Sequence, residues 1–306
     1  MEKSTTSPRE LMELYERGEN ISSRLRKEGA CDWNTERIIE RSYDLQTGSY
    51  IAAMGQKEVH DLKVRYAAEI AEIIRSLCTP QSLLEVGVGE ATTLAEVLGS
   101  LQIEGLCVYG FDLSWSRAAY AKGYLEERGF FEVALCTGSL FQIPLPNSSV
   151  DVVYTSHSIE PNGGREEPIL RELYRVTGEY LVLVEPGYEL AEEEARQRMR
   201  SHGYCRGLKE TAERLEYEVV DQHLLSCSAN PSNPSAVTVI RKEGVSGSKT
   251  PEWVCPEFKT PLERIGGMLF SAEALAVYPV LAGIPCLRIE NAIVASKYRE
   301  ISNSNI

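Results

Sequence analysis

The stretch from Ser82 to Asp112 constrains the fold of this chain more than any other. An apolar run over residues 83–86 breaks into the sequence GVGEAT at residues 87–92, and a second apolar run ends at Asp112. This order predicts a β-strand, a glycine turn, the start of a helix and a second strand. It is the βαβ unit of a parallel sheet covered by helices.

The glycine turn and the acid after the second strand together predict a ligand site. Gly87 and Gly89 tolerate backbone angles that other residues avoid, and they bring no side chain that would keep a ligand away. Asp112 follows Gly89 by 23 residues, close to the roughly 20 expected for an acid that binds ribose hydroxyls. On these residues alone, a dinucleotide and S-adenosylmethionine fit equally well.

A second motif follows a third predicted strand at residues 131–136. Residues 137–154 read TGSLFQIPLPNSSVDVVY. With the glycine turn, this segment resembles the class I S-adenosylmethionine-dependent methyltransferases of the type 11 kind, which often place a Leu-Pro-x-Pro stretch before Asp-Val-Val. The resemblance covers about residues 43–241. It implies an α/β fold with a Rossmann-like, seven-stranded, mostly parallel sheet and helices on both faces, and S-adenosylmethionine as cofactor.

The resemblance also implies which residues contact the cofactor. Glu85, Gly87 and Gly89 match the motif that lies against its methionine and ribose parts. Asp112 matches the acid that binds the ribose hydroxyls, and Leu113 would lie beside the adenine. We therefore expect these residues to form the centre of the cofactor site.

Two further groups complete the expected cofactor site. Ser139 stands where the family commonly has an acid that accepts a hydrogen bond from the adenine amino group, and with the backbone of Leu140 it would frame the ring. Tyr43, Gln46 and Tyr50 precede the first core helix, where many members close a lid over the methionine end. The alternative is that the two tyrosines only pack this segment onto the core.

The loops after the fourth and fifth predicted strands are where an acceptor would enter, because ligands bind at the carboxyl ends of parallel strands. His157 is the candidate general base, since imidazole takes up a proton near neutral pH. Glu160 and Asn162 would orient an acceptor hydroxyl or amine, and Tyr188 would stack on it. Methyl transfer is a direct displacement, so positioning alone can suffice; His157 would then only bond the backbone.

Composition narrows the possible partners. The net charge of −13 opposes a general nucleic-acid binder, because phosphate contacts need a basic surface. The eight cysteines form no CxxC pair, which favours reduced, mostly buried thiols. No apolar run approaches the ~20 residues of a membrane span, and the first residues lack the apolar core of a secretory signal. We expect a cytoplasmic protein with no membrane partner; a homodimer stays open.

The chain divides into four parts. Residues 1–55 predict a helical extension and lid, with one helix over residues 8–28, and residues 56–242 predict the methyltransferase domain. A Gly- and Ser-rich linker follows at residues 243–251, and a small C-terminal α+β module at residues 252–299.

The C-terminal part carries a second resemblance. Its sequences WVCPEFKTPL at residues 253–262 and YPVLAGIP at residues 278–285 are similar to the small zinc-ribbon protein that activates several RNA and protein methyltransferases. Phe258 stands at the second cysteine position, and Cys255 alone cannot supply the four ligands of a structural zinc. We therefore expect a metal-free relic that extends the catalytic sheet or covers apolar surface. Its expected core is Trp253, Phe258, Leu262, Leu269, Leu275, Tyr278, Val280 and Ile284.

These features favour methyl transfer to an oxygen, nitrogen or carboxylate acceptor on a small molecule, such as a sugar or secondary metabolite. A methyltransferase of tRNA, rRNA or a translation protein is the second reading, which the C-terminal resemblance suggests. A catalytically silent binding or scaffold protein is the third, and Ser139 is the one feature that points to it. A nicotinamide dehydrogenase would leave the later motifs unexplained.

Overall fold

The computed structural model describes residues 6–31, 33–228, 230, 232–243 and 250–303. Most of the predicted linker lies outside these residues. Among them, none of the helices has the length and apolar content that crossing a bilayer demands.

A seven-stranded sheet forms the centre of the fold. Its strands are β1 (Ser82–Val86), β2 (Cys107–Asp112), β3 (Ala134–Thr137), β4 (Val150–Ser156), β5 (Thr177–Pro186), β6 (Glu218–Leu224) and β7 (Ser235–Arg241). Their order across the sheet is β3-β2-β1-β4-β5-β7-β6. Strands β1 to β5 are parallel, and β7 is antiparallel to both of its neighbours. The prediction of a seven-stranded, mostly parallel, Rossmann-like sheet is confirmed.

Eleven helices in the described residues accompany the strands. They are α1 (Pro8–Glu16), α2 (Ile21–Gly29), α3 (Glu36–Asp44), α4 (Ser49–Ala53), α5 (Lys57–Leu77), α6 (Thr92–Leu101), α7 (Trp115–Glu127), α8 (Glu166–Val176), α9 (Glu193–His202), α10 (Leu208–Arg214) and α11 (Tyr298–Asn303). The sequence did not predict α10.

Two apolar cores lie on opposite faces of the sheet, because successive side chains of a strand point to opposite sides. Leu83 belongs to the core with α5, α6 and α7, and its neighbour Leu84 belongs to the core with α8 and α10. Both leucines are fully buried. Each contributes roughly 1.5–3 kcal/mol of transfer free energy to this sandwich.

The prediction of a single helix over residues 8–28 is wrong. The chain turns at Gly18, which has a φ of 82°, and a new helix, α2, begins after Asn20. The Asn20 side chain accepts a hydrogen bond from the backbone N–H of Ser23 at 2.9 Å. The left-handed Gly18 and the N-cap Asn20 therefore interrupt the helix, although the helical spacing of apolar residues continues across them.

The C-terminal residues form two small sheets of their own. Their strands are β8 (Glu263–Ile265), β9 (Met268–Ser271), β10 (Ala276–Tyr278), β11 (Val280–Leu281), β12 (Ile284–Pro285) and β13 (Ile293–Val294). One sheet has the order β13-β10-β9-β8, and the other pairs β11 with β12.

This C-terminal segment (residues 250–303) packs beside β3. Cys286 forms a parallel bridge with Thr137, and the Leu287 N–H donates to the Thr137 carbonyl at 3.0 Å. Further along, the Val254 N–H donates to the Pro144 carbonyl at 3.0 Å. Backbone pairing thus continues from the central sheet into the segment. Its relationship to the zinc-ribbon activators stays a prediction.

The core expected for the segment is only partly correct. Leu269, Tyr278 and Ile284 are buried, whereas Phe258 is 46% exposed and Leu275 is 47% exposed. The two exposed residues lie in turns, where an apolar residue in the sequence does not predict burial.

Candidate active site

The glycine turn lies between β1 and α6, at the carboxyl end of the central strand. Gly87 and Gly89 have φ values of 68° and 56°, which are left-handed. A Cβ atom at Gly87 would lie 2.4 Å from Ser158 Cβ, and one at Gly89 would lie 2.6 Å from Arg117 Nη2. Both the backbone angle and the close packing therefore require glycine here.

Asp112 ends β2 beside this turn and is 8% exposed. Its Oδ2 accepts from the Gly89 N–H at 3.0 Å, and its Oδ1 accepts from the Ser114 N–H at 2.9 Å. Two backbone groups thus fix the carboxylate in the wall of a first cavity. Leu113 and Leu140 line the same cavity, so an acid and apolar side chains face one space, as a nucleoside requires.

Ser139 does not line this cavity but lies behind it. Its hydroxyl donates to Glu36 Oε1 at 2.5 Å and accepts from the Phe141 N–H at 3.0 Å. Glu36 is the first residue of α3, so the N-terminal extension brings an acid next to the position where the family commonly carries one.

A second cavity, of about 490 Å³, lies next to the first. The two share Tyr43, Gly87, Arg117 and His157 in their walls. Several residues singled out from the sequence line the second cavity, namely Tyr43, Tyr50, Glu85, Gly87, Gly89, His157 and Glu160. The structure therefore brings most of the predicted site residues around one connected space.

Besides Ser139, two further candidates do not line this space. The Gln46 side chain donates to the Ser42 carbonyl at 2.9 Å, and the Tyr188 hydroxyl accepts from Arg200 Nη1 at 2.8 Å. Neither residue lines either cavity. Gln46 lies in the turn after α3 and bonds back to that helix, and Tyr188 packs beside α9. Asn162 does line the first cavity, and its Oδ1 accepts from Arg165 Nη2 at 2.6 Å.

His157 forms a hydrogen-bonded pair with Glu160. Its Nδ1 contacts a Glu160 carboxylate oxygen, and its Nε2 lies 2.7 Å from Ser235 Oγ. When the carboxylate accepts a hydrogen bond from Nδ1–H, the neutral imidazole keeps a lone pair on Nε2. His157 has a φ of 57°, an uncommon angle for a residue with a side chain and a reason to suspect a functional position.

Burial and the partner charge act in opposite directions on this pair. Burial lowers the pKa of His157, but the hydrogen bond and charge of Glu160 outweigh it, so the pKa of His157 is raised above its usual value. Burial raises the pKa of Glu160, and the bond with His157 outweighs that, so the pKa of Glu160 is lowered. Asn233 Nδ2 also donates to Glu160, at 3.2 Å.

Glu185, at the end of β5, fixes the loop that carries this pair. Its carboxylate accepts from the backbone N–H groups of Ser158, Ile159 and Glu160 at 3.0–3.1 Å. Burial raises the pKa of Glu185 to about 7. The backbone of the loop is therefore held before any ligand binds.

Glu85 and Lys63 face each other across the second cavity. Glu85 is 2% exposed, accepts from the Tyr154 hydroxyl at 2.8 Å, and has a pKa that burial raises to about 8. Lys63 Nζ donates to Thr93 Oγ1 at 3.0 Å in the first turn of α6, and burial lowers its pKa. A cation at a helix N-terminus suits a carboxylate ligand.

Sequence reasoning missed Lys63, Glu90 and Arg117. Glu90 is 1% exposed, and its carboxylate accepts from the Gly48 N–H at 3.0 Å and from the Ile51 N–H at 2.9 Å. The glycine turn thereby holds the first turn of α4, which carries one of the tyrosines of the expected lid. An acid inside a buried glycine turn was the signal that would have pointed to Glu90.

No cluster of three or more His, Cys, Asp or Glu side chains suited to a metal ion occurs among the described residues. The site combines the fixed carboxylate of Asp112, the glycine turn, the hydrogen-bonded pair of His157 and Glu160, and a second cavity.

Residues 83–179 match the family model described as a methyltransferase domain. The fold is similar to that of the [4+2]-cyclase SpnF, with a TM-score of 0.53 and 15% identity over 70% of this chain and 98% of that chain. It is also similar to that of magnesium protoporphyrin IX methyltransferase (ChlM) from Synechocystis PCC 6803 with bound SAH, with a TM-score of 0.51 and 12% identity over 68% of this chain and 100% of that chain. No curated protein matches the chain.

Proposed function

We propose that this chain, whose residues 83–179 match a methyltransferase domain, is an S-adenosylmethionine-dependent methyltransferase that methylates an oxygen or nitrogen atom of a small molecule. The observation that carries the proposal is the hydrogen-bonded pair of His157 and Glu160 in the wall of a cavity of about 490 Å³. A cavity of this size next to the cofactor pocket supports a small acceptor.

The residues present fit S-adenosylmethionine. Asp112 would hold the ribose hydroxyls, since its carboxylate is fixed by two backbone N–H groups at the wall of the first cavity. Leu113 and Leu140 would enclose the adenine, and Lys63 with Thr93 would hold the methionine carboxylate. When bound, the cofactor supplies a methyl group on a positively charged sulfur.

His157 supports an acceptor that loses a proton. With Nδ1–H bonded to Glu160, the neutral imidazole offers Nε2 as the base, and Ser235 Oγ lies at the position from which a proton would arrive. The Glu160 carboxylate stabilises the imidazolium that forms. A hydroxyl acceptor gains most from such a base, because it is a poor nucleophile while it keeps its proton.

The lid would exclude water from this space. Tyr43 and Tyr50 line the second cavity, and Glu90 ties the N-terminus of α4 to the glycine turn. A closed, water-poor cavity strengthens every electrostatic interaction inside it.

The first test is calorimetric titration with S-adenosylmethionine and S-adenosylhomocysteine. We expect saturable binding that Asp112→Ala weakens at least ten-fold, roughly 1.4 kcal/mol or more. Asp221→Ala is the matched control, because Asp221 is an acid of the exposed strand β6. No binding by the wild-type protein would refute the proposal.

The second test identifies the acceptor class. The protein is incubated with cofactor carrying a tritiated methyl group and with small-molecule, RNA and protein fractions of a cell extract, and the cofactor-binding variant Asp112→Ala serves as the control for enzyme-dependent label. Label in the small-molecule fraction supports the proposal. Label in the RNA or protein fraction would assign the substrate to the translation machinery instead. Cofactor binding without transfer to any fraction would indicate a silent fold.

A further inference from the structure

Arg117 places a positive charge inside the site without a negative partner. It lies in the first turn of α7, is 7% exposed and lines both cavities. Its Nε forms no hydrogen bond, and none of the ion pairs between the described residues includes it. A guanidinium that is nine-tenths buried and aimed into a cavity is costly unless something pairs with it.

The neighbours of Arg117 hold it but do not neutralise it. Its guanidinium carbon lies 5.3 Å from the centre of the Tyr43 ring and 4.7 Å from that of the Tyr50 ring. Such cation–π contacts stabilise a buried guanidinium by less than the desolvation of its charge costs. Arg117 also forms a hydrogen bond with the Tyr50 side chain. A guanidinium presents its donors as a planar fork, which can match a carboxylate in a bidentate geometry.

Resting on the proposed function, we propose that Arg117 binds a carboxylate group of a ligand beside the lid tyrosines Tyr43 and Tyr50. Either the methionine part of the cofactor or the acceptor can bring this group. Lys63, at the N-terminus of α6, already offers a place for the carboxylate of the cofactor, so the structure favours the acceptor as the source. The substrate would then be a carboxylic acid that the protein methylates on another atom or on the carboxylate itself.

The test compares Arg117→Gln with the wild-type protein. Arg117→Lys keeps the charge, and Arg128→Gln is the matched control, because Arg128 follows the same helix and pairs with Glu96 outside both cavities. Each protein is titrated calorimetrically with S-adenosylhomocysteine and with its decarboxylated analogue. Benzoate is titrated into each protein twice, once without ligand and once with S-adenosylhomocysteine bound.

If the acceptor supplies the group, Arg117→Gln loses benzoate binding and keeps the affinity for both cofactor analogues. If the cofactor supplies it, Arg117→Gln binds S-adenosylhomocysteine at least ten-fold more weakly and the decarboxylated analogue unchanged. In either case Arg117→Lys retains part of the affinity that Arg117→Gln loses, and Arg128→Gln binds each ligand as the wild type does. Arg117→Gln that matches the wild type in every titration overturns the inference.

The two proposals fail in different ways. A wild-type protein that does not bind S-adenosylhomocysteine contradicts the proposed function, and the benzoate titration of the free protein then decides the role of Arg117 by itself.

Discussion

Arg288 of the C-terminal segment forms an ion pair with Glu40 of α3, with 2.6 Å between Nη1 and Oε1. The same Nη1 lies 3.5 Å from the carbonyl oxygen of Leu113. Glu40 and Leu113 both line the first cavity, where the adenine is expected. The C-terminal segment therefore contacts the wall of the cofactor pocket, and its role need not be confined to general stability.

We predict that Arg288→Ala weakens cofactor binding as well as the fold. The Arg288 side chain is 7% exposed, so its loss leaves a partly buried carboxylate and removes a charged hydrogen bond, which costs about 1.5–3 kcal/mol of unfolding free energy. Calorimetry should show an affinity for S-adenosylhomocysteine that is several-fold lower, and Arg264→Ala, in exposed β8, should change neither quantity. Lower stability with unchanged affinity would mean that the segment only stabilises.

The link between Glu90 and the lid predicts a second effect. Glu90→Gln removes a charge and one of the two acceptors for the Gly48 and Ile51 N–H groups. We expect hydrogen exchange of the α4 amides to become faster and the affinity for S-adenosylmethionine to fall by about 1–2 kcal/mol, a factor of roughly 5–30. Glu104→Gln, at an exposed turn, is the control. Unchanged exchange in α4 would refute this coupling.

Glu85 predicts that cofactor binding releases a proton. Burial raises the pKa of Glu85 to about 8, so the free protein holds this proton at pH 7. The sulfonium and ammonium groups of the cofactor favour the carboxylate form, which lowers the pKa of Glu85 and favours release of the proton. Binding enthalpies measured in phosphate and in Tris should differ accordingly, by about one proton per site. Glu85→Gln should abolish the difference, and equal enthalpies for the wild type would contradict the prediction.

The His157–Glu160 pair predicts the pH dependence of the rate. His157 acts as a base only when neutral, and Glu160 raises the pKa of His157, so kcat/KM should increase with pH and level off above that pKa. Glu160→Gln removes the negative charge, which lowers the pKa of His157 and shifts the acidic limb to lower pH.

The plateau of Glu160→Gln should also fall, because the neutral amide oxygen that remains for Nδ1–H stabilises the imidazolium less than the carboxylate does. His157→Ala should lower the plateau by about 10²–10⁴ and remove the limb. A His157→Ala variant within a few-fold of the wild type would show that positioning alone supports transfer. The acceptor found in the labelling experiment serves as substrate.

The parts of the site that the sequence predicted follow directly from strand order. Asp112 and His157 each come at or just after the end of a strand, and the carboxyl ends of parallel strands meet at one edge of the sheet. Arg117, Lys63 and Glu90 depend instead on how helices and the lid pack around that edge. These three side chains point into the site because of tertiary contacts, which the local spacing of apolar residues does not predict.

In the fold as well, some features follow from the local sequence and others depend on tertiary contacts. The glycine turn and the strands on either side of it occur where they were predicted, because turn residues and apolar runs mark them clearly. Strand β3 begins at Ala134, three residues after its predicted start at Phe131, which is 73% exposed. An apolar pattern identifies a strand, but the pairing of β3 with β2 decides where that strand begins.

The pairing of Cys286 and Leu287 beside β3 has a consequence for self-association. An unpaired sheet margin is a template on which a second chain can add its own strand. The opposite margin, β6, has the charged residues Glu218 and Asp221 and an irregular register between Val219 and Asp221, which discourages such addition. At the other edge, residues of the chain's own C-terminal segment pair with β3. Removal of those residues would expose the edge of β3 to pairing with a second chain, so we expect the protein without its C-terminal segment to associate with itself.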